Sequence, residues 1–465
     1  MRFTLYVTLL LCVLPLVFSR PFFGLCVYYI VAFLQPKLLC WRPDFQDSLL
    51  VGVPLVFGAI VLGVHRPRWR FAADGLPTDG AEPALREELS RAPLFHPSWQ
   101  VLLLIALVGY IGLIRLVTPF DASESSEQFN RLCKVALVAA LTTGLAASAD
   151  RLRALCMVVA LAAGFWAVKA GIWTLMLGAH RTYGEDYDNN LFALKSVMVL
   201  PLLFHMGIIS KDRRVRGLLL GLALCACLGI IGSRSRAGFA ALAFVLVGML
   251  WSSRRSPRTA GAILLLGFVG LCVSGSEIWA RWEGIRRYGE DRSAGKRFAI
   301  WSDAWEVFEV NPLTGVGFAN FERAHAKEYQ ASWAAHNIWL QNLVELGLIG
   351  HPLWLCLVWG TIGSLFLSMR RARRGPPELR WLEQIARALF MGMVAFWIHG
   401  MFHNEEYLEL MFAFIGLSVC VSVVLHHESL RPAAAAVPMR TKRSATPAEE
   451  TPGWSLPLVF GRTAR

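Results

Sequence analysis

Apolar and polar positions alternate in long blocks rather than with the short periods of a soluble fold. Apolar runs of roughly 15 to 23 residues recur from end to end, a length that matches helices crossing a lipid bilayer. The runs cover 4–18, 22–35, 49–64, 99–117, 132–148, 154–177, 191–209, 217–232, 237–251, 259–275, 347–368, 384–401 and 410–425. Counted literally they make thirteen crossings and put the N-terminus outside. Reading the first two runs as one kinked or partly re-entrant element, broken at Ser19-Arg20-Pro21, gives twelve with both ends inside, and this is the count adopted here. The first run is followed by no small-residue cleavage site, so it counts as membrane structure rather than a signal peptide. The pattern predicts an all-α polytopic transmembrane bundle of about 12 spans. A single membrane domain is expected over 1–425, with a large external loop, 276–335, containing short helices. The tail 426–465, rich in Ala, Pro, Lys and Arg, is expected to be disordered and cytoplasmic.

Composition agrees with the pattern. Of 465 residues, 55% are hydrophobic and only 17% charged, with a mean hydropathy of +0.48, where a soluble chain carries about a quarter charged residues. No soluble domain of useful size remains once the spans are removed. The net charge of +13 raises the question of nucleic acid. Its basic residues, however, lie in short clusters between spans, such as Lys211 to Arg216, Arg254-Arg255 and Arg370 to Arg374, and not on one contiguous face. Short basic connections are cytoplasmic by the positive-inside rule, and a nucleic-acid partner is excluded for want of a basic patch. Ten cysteines are scattered, mostly inside apolar runs. Cys225 and Cys227 have no second pair at zinc-site spacing, so no metal site and no cofactor are expected.

Parity then assigns the polar connections. The turn Asp121 to Glu127, the loop His180 to Asn190, the hinge Ser233-Arg234-Ser235-Arg236, the loop 276–335 and the turn His403-Asn404-Glu405-Glu406 fall outside. Two arginines in a four-residue external hinge run against the charge rule, which suggests an anionic ligand there. The large loop carries eight Lys and Arg against nine carboxylates; for most of these a solvated surface is sufficient explanation. Arg297 differs. It precedes Phe298, Trp301, Trp305 and Phe308, whose spacings of 3, 4 and 3 predict one apolar face of a helix lying at the membrane interface. A guanidinium at the start of such a helix suits a lipid-linked phosphate, which it pairs bidentately at any working pH. Asn311-Pro312-Leu313-Thr314-Gly315-Val316-Gly317 reads as a structural turn. His336 enters the next apolar run. A neutral imidazole there can take the proton of an attacking hydroxyl, and nearby arginines would keep it neutral.

His336-Asn337, nine residues, then Gly347-Leu348-Ile349-Gly350 resembles the H-[NSQ]-x9-G-x-x-[GTY] motif of the bacterial O-antigen ligase superfamily. That superfamily includes O-antigen polymerases and protein O-oligosaccharyltransferases. The turn Asn311 to Gly317, the Arg297…Trp301 pair and Gly232-Ser233-Arg234-Ser235-Arg236-Ala237-Gly238 are similar to the same family. The resemblance covers roughly residues 180–370. Arg20-Pro21-Phe22 with Asp188-Asn189-Asn190 is closer to the subgroup of O-glycosylation ligases.

The resemblance implies a metal-independent, inverting membrane glycosyltransferase of the GT-C type in the bacterial inner membrane. It would take a glycan from undecaprenyl diphosphate at a periplasmic active site and pass it to an acceptor hydroxyl, foremost that of lipid A–core oligosaccharide in lipopolysaccharide biosynthesis. It implies His336 as the base, and Arg297, Arg236, Arg234, Arg181 and Asn337 as diphosphate or substrate-binding residues. A polymerase or a protein O-glycosylation enzyme is the alternative. A lipid-linked glycan transporter is a further one, although the sequence has no internal repeat and its charges gather in one loop rather than along a conduit.

Overall fold

The computed structural model describes residues 2–41, 44–62, 94–117, 122–177, 188–253, 292–330 and 332–435, together with isolated positions 257, 260, 261 and 263. Among the described residues the chain is helical, with no strand. Twelve of the thirteen apolar runs are helices; the run 259–275 lies almost wholly outside the described residues, as does Arg181. In chain order the helices are α1 (Arg2–Ser19), α2 (Pro21–Leu34), the single turn α3 (Pro36–Leu39), α4 (Asp47–Leu62), α5 (Trp99–Val117), α6 (Ala122–Leu145), α7 (Ala149–Leu177), α8 (Asn189–Ile209), α9 (Arg213–Gly232), α10 (Arg236–Ser253), α11 (Arg292–Val310), α12 (Phe321–Tyr329), α13 (Ile338–Arg374), α14 (Arg380–Gly400) and α15 (Glu409–Ala435). Nine helices among the described residues are long and apolar enough to cross a membrane, and α2 and α4 are shorter apolar helices.

The first two runs fold as separate helices broken at Arg20, not as one kinked element. The Tyr6 hydroxyl donates to Asp47 Oδ2 at 2.8 Å, and the Phe3 and Phe45 rings meet edge-on at 5.3 Å. The start of α1 therefore sits beside the start of α4. The last helix runs to Ala435, past the position where a tail was expected; residues 436–465 lie outside the described residues.

Why the chain builds around α8 follows from its sequence. A helix apolar on every side must be enclosed, and every residue of α8 from Phe192 to Gly207 is buried except Lys195. It packs against α7, α9, α10 and α14. The second enclosed helix, α15, is held by α6, α13 and α14. Basic connections gather at one end of the bundle, where Arg153 stacks on the Trp381 ring at 3.8 Å and Asp212 caps α9 through Arg214 N at 2.7 Å. The starts of α8 and α13, and the turn 401–408, lie at the other end.

The loop helices form a small core of their own. Ile300, Ala304, Val307 and Phe308 of α11 pack with Val316, Phe321, Ala324, Ala335 and Val344. The stripe at i, i+4, i+7 and i+8 points inward against α13 and shares only Phe308 with the aromatic face read from sequence. Phe298 and Trp305, half exposed at 51% and 49%, sit outside that stripe. The Tyr329 hydroxyl bonds Glu306 Oε2 at 2.6 Å and His325 Nε2 meets Asp303 Oδ2 at 3.0 Å, which ties α12 to α11.

Candidate functional site

The site stands on a deliberate break in α13. At Gly347 the backbone takes φ 65° and ψ −170°, a region essentially confined to glycine. Such a break strands helix donors and acceptors, and each left unmade in a lipid environment costs several kcal/mol. Five of these groups are matched by neighbours. Val344 O accepts from Val316 N at 2.9 Å and Glu345 O from Gly317 N at 3.0 Å, while Leu348 N donates to Pro312 O at 2.8 Å and Ile349 N to Leu313 O at 3.2 Å. Leu346 O accepts from the Tyr110 hydroxyl at 2.7 Å. The turn 311–318 thus inserts into the helix as a plug. A Cβ at Gly347 would strike Leu313 O, and one at Gly315, also at positive φ, would strike Val344 O. Read as a structural turn from sequence, this segment is structural in the fold, and the glycines of the motif are what allow it to dock.

His336 lies immediately before α13 with φ 49°, a left-handed conformation that is uncommon away from glycine. Two anchors hold it there. The indole Nε1 of Trp301 donates to Ala335 O at 2.8 Å, and Ala335 N donates to Gln341 Oε1 at 3.2 Å. The first of these joins α11 to the residue before the histidine, so that Arg297, one turn earlier on α11, acts electrostatically on the imidazole. Burial pushes His336 below the ordinary histidine value, the Arg297 charge pushes it further, and Asp188 opposes both. The half-buried ring is therefore held in its neutral, proton-accepting form near pH 7.

Asn337, a sequence candidate for substrate binding, caps α13: its Oδ1 accepts from Trp339 N at 3.0 Å and Leu340 N at 3.2 Å. An extended asparagine in this position is the usual way to satisfy the first free N–H groups of a helix.

The α9–α10 hinge reaches the same region through Asp188-Asn189-Asn190. Asn189 Nδ2 donates to Ser233 O at 3.1 Å, and Ser235 Oγ donates to Asn190 Oδ1 at 2.7 Å. Ser235 Oγ also accepts from Gly238 N at 3.1 Å, which starts α10. Arg234 is half-buried and, like His336, left-handed, with φ 56°; Arg236 is exposed at the first position of α10. Asp188 caps α8 through Asn190 N at 2.8 Å, and its other oxygen lies 3.7 Å from His403 Nδ1.

His403 is the participant that sequence reasoning passed over. It is buried in the turn after α14, and its value is lowered by burial against the opposing pull of Asp188, with His336, Lys195 and Arg297 lowering it further. Five ionisable side chains from four separate segments thus share one neighbourhood. The signal available in the sequence was the polar turn His403 to Glu406 between two apolar runs, since ionisable groups at membrane depth are expensive to hold.

Residues 220–355 match the family model described as O-antigen ligase, while no curated protein matches the chain. The matched stretch takes in the hinge arginines, Arg297, the plug turn, His336 and the Gly347–Gly350 break; Asp188, Lys195 and His403 lie beyond it. The match covers less than a third of the chain and, with the helical membrane architecture of the described residues, marks a similarity to the O-antigen ligase family.

Proposed function

We propose that the protein transfers a glycan from undecaprenyl diphosphate to an acceptor hydroxyl on the periplasmic face of the bacterial inner membrane. The family carries the coarser statement, a ligase- or polymerase-type activity on lipid-linked glycan. The finer reading rests on one observation: Trp301 ties α11 to the residue before His336, so that a guanidinium and a neutral imidazole meet in one site.

In this reading the acceptor oxygen attacks the anomeric carbon while the bond from that carbon to the diphosphate oxygen breaks, inverting the centre. His336 takes the hydroxyl proton. Arg297, with Arg234 or Arg236 from the hinge, offsets the charge that grows on the departing undecaprenyl diphosphate, a fixed-charge role that acts chiefly in the transition state. Diphosphate leaves readily once so neutralised, and no metal step is invoked. Asn337 contributes by fixing the start of α13 and hence the position of His336. Lipid A–core oligosaccharide is the acceptor proposed, which makes the protein a ligase of lipopolysaccharide biosynthesis. The whole of 1–425 acts as one membrane domain carrying this site.

The test is to incubate purified protein with lipid-linked glycan and, separately, lipid A–core, a second lipid-linked glycan or an acceptor protein. Modification of lipid A–core alone is expected. Product on the lipid-linked glycan or the protein instead would reassign it as a polymerase or protein ligase, and no product on any acceptor would remove the transferase reading. Cysteine placed at position 234 should react with an impermeant reagent from outside the cytoplasmic membrane; labelling from the cytoplasm alone would take the hinge out of the site.

A further inference from the structure

Beside the His336 site a second cavity, about 170 Å3, opens between α6, α12, α13 and the turn 401–408. Its wall is mostly polar, with Gln128 and Arg131 from α6, Glu322 and Arg323 from α12, and Gln341 and Glu345 from α13, beside the apolar Leu132, Phe318 and Ala319. Asn404, Glu405, Glu406 and Tyr407 close it from the turn. The carboxylates here are not all accounted for by the fold. Glu345 is spent on structure: its Oε2 accepts from Ala319 N at 2.9 Å, and its Oε1 lies 3.4 Å from Gln341 Nε2. Glu406 is equally buried, only 4% exposed, yet its Oε2 has no hydrogen-bond partner among the described residues. A buried carboxyl oxygen without a partner costs free energy, and this one borders the cavity.

The chemistry of the wall narrows the occupant. Among the described residues no three carboxylate, imidazole or thiol groups converge as metal ligands. Burial and the neighbouring Glu345 raise Glu406 well above the usual carboxyl range, which weakens it as a partner for an ammonium ion. A hydroxyl serves either protonation state, since it donates to a carboxylate and accepts from a carboxylic acid. Carboxyl, amide and guanidinium groups around one small space match the alternating hydroxyls of a sugar ring. The volume falls below the several hundred Å3 of a drug-sized pocket, so it has room for about one ring. A larger cavity of about 400 Å3, lined by Lys195, Trp166 and Glu127 among others, shares Arg131 and Glu405 with the first and offers the next rings a path.

We propose that the Glu406 cavity is a saccharide subsite, holding one hydroxyl-bearing sugar ring of a reacting glycan beside the His336 site. This rests on the glycosyl-transfer reading above for its relevance, but its chemistry is independent of that reading. Gln341 gives it a route to the chemistry: the same amide lines the cavity and holds Ala335, the residue before the base.

Binding, not turnover, tests it. Full-length protein in lipid nanodiscs is titrated calorimetrically with two released saccharides: core oligosaccharide cut from lipopolysaccharide, and donor glycan freed of its lipid diphosphate. Wild type and His336→Ala should bind one of the two alike. Glu406→Gln and Asn404→Ala should each weaken that binding about tenfold, roughly 1.4 kcal/mol, and which saccharide is affected assigns the subsite to acceptor or donor. Asn404 is only half-buried, so its variant keeps the test valid if Glu406→Gln fails to fold. No binding of either saccharide to wild type, or equal binding by the folded pocket variants and wild type, would overturn the proposal. An inactive wild type that still binds a saccharide through Glu406 would instead sink the transferase reading alone.

Discussion

Two halves of one motif behave in opposite ways. At Gly347–Gly350 five backbone groups released by the helix break are matched, by the plug turn or by Tyr110, and the residue types serve only to permit close approach. At His336, eleven positions earlier by the sequence numbering, the chain gathers charges that do little for packing. There the backbone is left-handed, the ring is half-buried, and Arg297, Asp188 and His403 crowd it. The contrast separates architecture from chemistry inside a single stretch. The glycines hold the entrance of α13 in place, and the histidine uses it.

That division can be broken experimentally, starting from the architectural half. Gly347→Val should be the most damaging change. The left-handed conformation alone costs a branched residue roughly 1–2 kcal/mol or more, and the new Cβ would drive Leu313 away, exposing several hydrogen bonds worth about 1 kcal/mol each. We expect loss of monodisperse protein on size exclusion; a stable, active Gly347→Val protein would mean the plug turn is dispensable. His336→Ala should do the reverse. Its yield and melting temperature should be near wild type, while the turnover number falls by about 100- to 10,000-fold, as expected on removing a general base. Transfer at the wild-type rate would remove the imidazole from the chemistry.

A smaller effect separates the two roles at their junction. Asn337→Ala removes the cap of α13 and should cost about 1 kcal/mol of stability, read as a lowered melting temperature. Asn337→Ser, which can cap, should restore most of both stability and activity. If serine rescued stability but not transfer, Asn337 would touch substrate as well as its helix.

How much of this could be read from sequence follows the same division. Long apolar runs set the helices, because in lipid the backbone must satisfy itself locally, and the run boundaries 99–117 and 191–209 fall on or within two residues of α5 and α8. His336 and Arg297 were legible because residue type and local context mark them. The partner of the plug turn was not, since the bonds from 312–317 to 344–349 join segments that carry no complementary pattern. Which flank of α11 packs inward was not legible, for a related reason. Aromatic periodicity measures amphipathicity, but the neighbour decides which flank turns inward, and here Ala304 and Val307 fit where Trp305 does not. Asp188 and His403 met only through tertiary structure, 215 positions apart, and no local signal pairs them.

The central claim is that Arg297 helps to hold His336 as a neutral base, and the pH dependence of kcat/KM tests it most directly. The acidic limb reports the base in the free enzyme. A base works only above its own pKa, so a lowered value extends activity to lower pH. In wild type the limb should fall below the ordinary imidazole value of about 6.5. In Arg297→Gln the depressing charge is gone, so the limb should move to higher pH, toward that value, with burial still holding it down in part. An acidic limb that stays where it was in Arg297→Gln, or moves to lower pH, would contradict the account.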